Sequence, residues 1–340
     1  MRTAELIAPL TFRLGERPIE DPGAGEVQVR VEAVGICGSD LHAYSEGAVG
    51  STPNVYPMVL GHEPAGRIVK TGPGVSGLVP GDRGALEPAL YCYHCEFCLR
   101  GLHNVCANLR FLSSPRLPGF FRELVNLPVT NFLPIPVAIS LDQATLVEPL
   151  AVALHSLYLA SIRPAETVAV IGAGPIGLLT VAALRAMGAG RIWAVEPVAH
   201  RRELAKTIGA DVVLEPAAAA GEILRSTGRG VDCAIDCAAK EDTTGQAIQV
   251  ARSAGRVVLT GIHSIPFVPM DGSAMRRKEL TIFNVRRSNH ESSKALELLQ
   301  AHPDWFAPLL THTREIDRID EAFAIASHYQ DGVGKMVVKP

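Results

Sequence analysis

TVAVIGAGPIGLLTVAALRAMGAG, residues 167–190, joins an apolar β-branched run, a glycine-rich turn and an apolar helix that stops at glycine. The pattern predicts a strand at 167–171 and a helix after Gly172-Ala173-Gly174-Pro175-Ile176-Gly177. A lone GxGxxG carries little weight. A strand before it and a helix after it make it a dinucleotide fingerprint. The glycines let the backbone approach a pyrophosphate, which rests on the helix N-terminus. The next strand-like run, RIWAV, leads into Glu196, 19 residues after Gly177. A carboxylate there accepts a hydrogen bond from the ribose 2′-hydroxyl of NAD and repels a 2′-phosphate. The plain alternative is that Glu196 only caps the following helix. His200-Arg201-Arg202 lies close by, and Arg201 or Arg202 would receive the 2′-phosphate of NADP. The acid favours NAD over NADP.

Further strand-like runs at 212–214, 232–236, 256–260 and 280–285 alternate with helical segments. That alternation is the signature of a doubly wound parallel sheet. Cys233 and Cys237 fall on or just after one of these strands and read as buried thiols. The N-terminal half differs. Val27, Val29, Val31 and Ala33 alternate with polar residues, which predicts a half-buried antiparallel strand. Short strands and many Gly/Pro turns there suggest a compact β-barrel. A chain of 340 residues exceeds what one core usually fills, so two domains are expected.

A net charge of −3, with both signs interspersed, leaves no basic footprint for nucleic acid. The N-terminal residues carry no apolar core of a secretory signal. The long uncharged run Thr167 to Leu184 is broken by Pro175 and by glycines 172, 174 and 177, which argues against a membrane span. The expected compartment is the cytoplasm, where structural disulfides are disfavoured.

Four of the seven cysteines lie in LYCYHCEFCLRGLHNVC, residues 90–106, spaced Cys92-x2-Cys95-x2-Cys98-x7-Cys106. Four thiolates close a tetrahedral zinc shell. The iron–sulfur alternative fits less well. The ferredoxin run puts its fourth cysteine after three residues and before proline, whereas here seven residues intervene and alanine follows. A closed site shapes a lobe and leaves no position for chemistry. His94 and His103 read as loop histidines.

A second set of donors is spread along the chain. Cys37 lies in GICGSDLH, His62 and Glu63 open GHEPAGRIVKTGPGV, and Glu148 lies in VEPL. A thiolate, an imidazole and a carboxylate form an open zinc site with room for water or substrate. Taken singly, Cys37 is an ordinary small buried side chain.

Gly61-His62-Glu63-x2-Gly66-x5-Gly72-x2-Val75 resembles the signature of zinc-dependent alcohol dehydrogenases of the medium-chain dehydrogenase/reductase family. GICGSDLH, EPLAVALH and the four-cysteine lobe are most similar to its sorbitol (polyol) and threonine dehydrogenase branch. The resemblance covers essentially the whole chain. It implies an α/β protein with a GroES-like β-barrel catalytic domain at 1–152 and 288–340, carrying a structural zinc lobe at 90–107. It also implies a Rossmann domain at 153–287, with the active site in the cleft between the two. Cys37, His62 and a glutamate would hold the catalytic zinc. Glu63 is the ligand expected in the polyol branch, with Glu148 approaching as water comes and goes. Asp40 would fix the tautomer of His62. Ser39 and His42 match proton-relay positions. In NVRRSN, residues 284–289, Arg286 matches an arginine near the cofactor and active site, and Arg287 replaces a tyrosine. Tyr44, Phe111 and Phe121 are candidates to line the pocket.

The implied activity is reversible oxidation of a polyol or other secondary alcohol to the ketone, with NAD and two zinc ions per subunit. L-Threonine and sugar acids are the alternative substrates. A zinc- and dinucleotide-binding redox sensor without turnover is the reading from another class. The implied assembly is a homotetramer or homodimer.

Overall fold

The structure, a computed structural model, describes residues 1–240 and 242–340. The chain forms two compact units. The first comprises Met1–Glu148, Ser292–Gln300 and Leu310–Pro340; the second comprises Pro149–Glu291 and Ala301–Leu309. The first division falls inside the helix Val147–Leu159, a few residues before the expected change of domain. The stretch Ala301–Leu309 groups with the second unit because its helix Pro303–Phe306 packs on the helices Pro175–Ala186 and Ala199–Ile208.

The first unit is built on a seven-stranded sheet. Its main path runs Phe132–Pro134, Arg83–Leu86, Glu63–Thr71, Glu26–Gly35, Lys335–Lys339, Leu310–Glu315. Leu124–Pro128 pairs beside the first half of Glu26–Gly35. That long strand is the centre of the unit. It is antiparallel to Glu63–Thr71, to Leu124–Pro128 and to Lys335–Lys339. Val27, Val29 and Val31 point into the core, as their alternation predicts, but the strand's end is buried throughout from Ala33 to Gly35. Ala33 and Val34 point to opposite faces and are both fully buried, so neither face there meets water. Phe12, Tyr44, Phe121 and Phe323 fill the adjoining core with ring contacts of 4.8–5.7 Å.

The second unit holds a six-stranded, wholly parallel sheet. Its order is Val212–Leu214, Ile192–Val195, Val168–Ile171, Val231–Asp236, Ala251–Leu259, Thr281–Asn284. The chain winds outward from Val168–Ile171 in one direction and then restarts beside it in the other. This reversal leaves a crevice at the carboxyl ends of the central strands, where open α/β sheets take their ligands. The central strands Val168–Ile171 and Val231–Asp236 are buried on both faces, and the first therefore reads as a continuous apolar run. The glycine turn is sterically required. Gly172 has φ +92°, and a Cβ on Gly177 would lie 1.9 Å from the Gly172 carbonyl oxygen. Burial pushes the thiols of Cys233 and Cys237 up to about 12, so neither is a reactive group. No helix among the described residues is long and apolar enough to cross a membrane.

Asp232 fastens the lower end of this sheet. Its carboxylate accepts from the Thr167 N–H at 2.8 Å, the Thr167 hydroxyl at 2.7 Å and Arg252 Nε at 2.6 Å. Burial works against the charge, but Arg252 and Thr167 outweigh it and draw the carboxyl down to about 2. A depressed folded-state value contributes stability above the ordinary carboxylate range, and that stability is lost as pH falls toward 2. Asp232→Asn is therefore expected to cost about 1–2 kcal/mol at neutral pH. The gap between variant and parent midpoints in urea should narrow as pH drops below 4. A gap independent of pH would contradict the assignment.

Candidate active site

Strand pairing assembles the first cluster. Glu26–Gly35 ends where Glu63–Thr71 begins, and Gly35 and Glu63 are direct register partners. Two residues past Gly35, Cys37 caps the helix Gly38–Glu46. Cys37 and the His62-Glu63 pair therefore meet, although 25 residues separate Cys37 from His62. Donor atoms of Cys37, His62 and Glu63 all lie within 4.8 Å of one another. His62 and Glu63 are buried and Cys37 is partly exposed.

Each donor is held from behind. Asp40 is buried, and its carboxylate accepts from the backbone N–H groups of Cys37 and Gly61 at 3.1 Å each. It stands 3.4 Å from His62 Nδ1. The other ring nitrogen, Nε2, lies 3.4 Å from the Ser39 hydroxyl. Burial alone would raise the Asp40 carboxyl, but His62 and the two N–H donors hold it below its usual range. Burial likewise opposes protonation of His62, yet Asp40 and Cys37 hold the imidazole well above its ordinary value. Glu63 faces the ammonium of Lys335 through Oε2, while its Oε1 is buried with no hydrogen-bond donor. An orphaned carboxylate oxygen beside a thiol and an imidazole fits a metal ion. One sulfur, one nitrogen and one oxygen donor form an open zinc set.

The other residues singled out in the sequence fall as follows. Glu148 lies outside the three-donor group. Burial pushes its carboxyl up to about 7; His62 pulls against this, while Glu63 and Glu87 add to it. Phe111 borders the cluster, its ring centroid 5.6 Å from that of His62. Tyr44 and Phe121 do not serve as pocket walls. Both are buried in the core against Phe323, Tyr44 from the inward side of the helix Gly38–Glu46 and Phe121 from the loop before Leu124–Pro128. His42 Nδ1 is 2.8 Å from Glu46, one helical turn on. Lys335 was not singled out. Its one signal is a lysine opening the otherwise apolar run KMVV.

The sulfur atoms of Cys92, Cys95, Cys98 and Cys106 also lie within 4.8 Å of one another, and all four are free thiols. Backbone N–H groups of Cys95 and Cys92 point at the sulfurs of Cys92 and Cys106, at 3.4 and 3.5 Å. Donors at His94 and Asn108 draw the Cys92 thiol down to about 5. The pull on Cys92 favours its thiolate, the metal-binding form, whereas burial and the neighbouring sulfurs push the Cys98 thiol up to about 12.

In the second unit, Gly174 caps the helix Pro175–Ala186 with Pro175 at its first position. Glu196 is buried at the end of Ile192–Val195. It accepts from the N–H of Ala173 at 2.7 Å and of Val198 at 2.9 Å, so it braces the glycine turn. Arg201 packs beside Gly174, its guanidinium 3.8 Å from where a Cβ would stand. Arg202 is committed elsewhere, donating to the carbonyls of Glu196 and Pro197 and pairing with Glu215. Arg286 is exposed just past the edge strand Thr281–Asn284.

Comparison with known proteins agrees with this geometry. The alcohol dehydrogenase GroES-like domain matches residues 23–137, and the zinc-binding dehydrogenase domain matches residues 175–301. Sorbitol dehydrogenase of Bacillus subtilis (strain 168) is 32% identical over 343 residues, spanning 100% of this chain and 97% of that protein. The chain belongs to the zinc-dependent medium-chain dehydrogenase/reductase family. Among solved structures, one described as a short chain alcohol dehydrogenase of Escherichia coli CFT073 complexed with NADH is 31% identical with a TM-score of 0.91, covering 100% of this chain and 99% of that one. A zinc-binding dehydrogenase of Sinorhizobium meliloti 1021 bound to NADP is 29% identical with a TM-score of 0.89, at the same coverage. As a medium-chain dehydrogenase, the protein uses zinc and a nicotinamide cofactor.

The absence of a side chain at Gly35 is a condition of the cluster. A Cβ there would lie 2.2 Å from Glu63 Oε2 and 2.8 Å from Lys335 Cε. Gly35→Ala should cost about 1–3 kcal/mol in urea unfolding, the usual range for overpacking. A loss below about 0.5 kcal/mol, the level of an indifferent surface change, would show that Glu63 and Lys335 move aside freely.

Proposed function

We propose that the protein reversibly oxidises a secondary hydroxyl of a sugar alcohol to the ketone, with NAD as the hydride acceptor. The observation that carries this reading is the three-donor cluster of Cys37, His62 and Glu63, with its orphaned carboxylate oxygen and the Ser39 hydroxyl beside His62. The likeness to sorbitol dehydrogenase directs the choice of substrate class.

Cys37, His62 and Glu63 hold the catalytic zinc. Bound there, zinc would supply Lewis acidity toward a hydroxyl oxygen, and a bound nicotinamide would serve as the hydride acceptor. Ser39 would take the hydroxyl proton as it releases its own into a relay that ends at His42, which gives a proton to solvent. Glu46 holds His42 through Nδ1, which leaves Nε2 for the exchange. Asp40 fixes the ring of His62 so that Nε2 faces the metal. Glu148 is a neighbouring acid that can replace a water at the site. Phe111 presents an apolar wall beside His62. The Cys92, Cys95, Cys98 and Cys106 cluster holds a second, closed zinc that shapes its lobe.

Glu196 favours NAD, since a buried carboxylate beside the glycine turn repels a 2′-phosphate, and Arg202 is already engaged by Glu215. Self-association is supported by the edge strand Thr281–Asn284, near which Ile262, Ile265 and Phe267 are exposed. Two such edges pair across a two-fold axis. Light scattering that finds only a 36.2 kDa particle would contradict it.

The test is a panel of sugar alcohols, simple secondary alcohols, L-threonine and sugar acids, followed by reduced-cofactor absorbance with NAD and with NADP. A sugar alcohol with NAD should give the highest kcat/KM. Cys37→Ala should lose roughly a thousandfold or more of it, as expected when a metal's transition-state stabilisation is removed. A Cys37→Ala variant still active after dialysis against chelator would end the zinc mechanism. Preference for a sugar acid or L-threonine would correct the substrate class.

A further inference from the structure

Lys335 opens the strand Lys335–Lys339, which pairs with Glu26–Gly35 through Val337 and Gly35. Both Lys335 and Glu63 are 1% exposed. An ammonium taken this far from water is costly unless it is closely paired. Lys335 has two partners. Its Nζ faces Oε2 of Glu63, and it donates to the carbonyl of Ile36 at 2.9 Å. Ile36 precedes Cys37. One ammonium therefore touches the carboxylate donor and the peptide that leads to the thiolate donor.

Stability does not by itself call for this pair. Replacing a buried ion pair with apolar side chains of similar volume is often neutral or stabilising. Yet the backbone is cleared at Gly35 so that the two side chains can meet. The surrounding charge is mostly negative. Asp40 and Cys37 approach from the helix Gly38–Glu46 and its cap, Glu63 from its strand, and Glu87 and Glu148 from behind. Against these acids stand His62 and Lys335.

We propose that Lys335 is a positioning residue for the reaction, holding the Glu63 carboxylate within reach of Cys37 and His62 and offsetting its charge. The inference rests on the reading of Cys37, His62 and Glu63 as the metal site. Two effects follow, and they have the same sign. A carboxylate shared with an ammonium donates less electron density to a metal, which keeps the metal more Lewis acidic. The fixed positive charge also favours the loss of a proton from a substrate hydroxyl nearby. Without Lys335, that proton should be lost only at higher pH.

The test uses the full-length, metal-loaded enzyme with Lys335→Met, Lys335→Gln and Lys335→Arg. The acid limb of the pH profile of kcat/KM should move up by about one unit or more in the Met and Gln variants, the scale of one buried charge at close range. Lys335→Arg should restore most of the parent profile. Glutamine keeps a donor for Ile36 and covers the case in which the Met variant does not fold. A second readout is independent of turnover. In cobalt-substituted enzyme, the visible absorption from the Cys37 site should change in Lys335→Met and Lys335→Gln and recover in Lys335→Arg. Variants that keep the parent's pH profile and cobalt spectrum, and lose only thermal stability, would overturn the inference and leave the metal site intact. A parent enzyme that takes cobalt at the four cysteines but not at Cys37, His62 and Glu63 would overturn both.

Discussion

The site depends on the register between two neighbouring strands. Because Gly35 stands opposite Glu63, the residues that follow one strand's end and those at the other's start converge. A shift of one residue would turn Glu63 to the opposite face of the sheet and separate it from Cys37. The convergence concentrates charge where water is excluded, which is costly unless each group finds a counterpart. Asp40 braces His62 and the backbone of Cys37 and Gly61. Lys335 braces Glu63 and the backbone of Ile36. An anion and a cation, contributed by different elements, thus support the donors from two sides.

The two cysteine-containing sites follow different structural logic. The four-cysteine lobe is local. Its four cysteines lie within 15 residues, Cys92 to Cys106, and short spacers alone bring their sulfurs together. Backbone N–H groups of Cys95 and Cys92 are already aimed at the sulfurs of Cys92 and Cys106. The Cys37 site is assembled by tertiary structure and is one ligand short of a closed shell. That difference separates a site that can only hold a lobe together from one that can receive a substrate oxygen.

Much of this was legible in the sequence, because strong local constraints leave local marks. The glycine turn at 172–177 is dictated by a contact within six residues, so its pattern survives as a motif. The apolar run at 168–171 is continuous because both sheet faces are covered. Long-range relations were harder to read. Lys335 reaches Glu63 from the far end of the chain, and no spacing rule connects them. Tyr44 and Phe121 were misread as pocket residues because aromatic side chains near a motif do not announce which face they occupy. Glu148 follows an apolar approach like that of a buried ligand, yet it stops outside the donor group. Burial keeps it in a protonatable range instead.

The central claim is that the chain carries one open and one closed zinc site, and that the open one performs the chemistry. Anomalous diffraction from crystals of the zinc-loaded protein, collected on both sides of the zinc edge, tests this most directly. The account predicts two peaks per chain, one among Cys92, Cys95, Cys98 and Cys106 and one bounded by Cys37, His62 and Glu63. A zinc-replete crystal with density at the four cysteines alone, and Glu63 still turned wholly to Lys335, would contradict it.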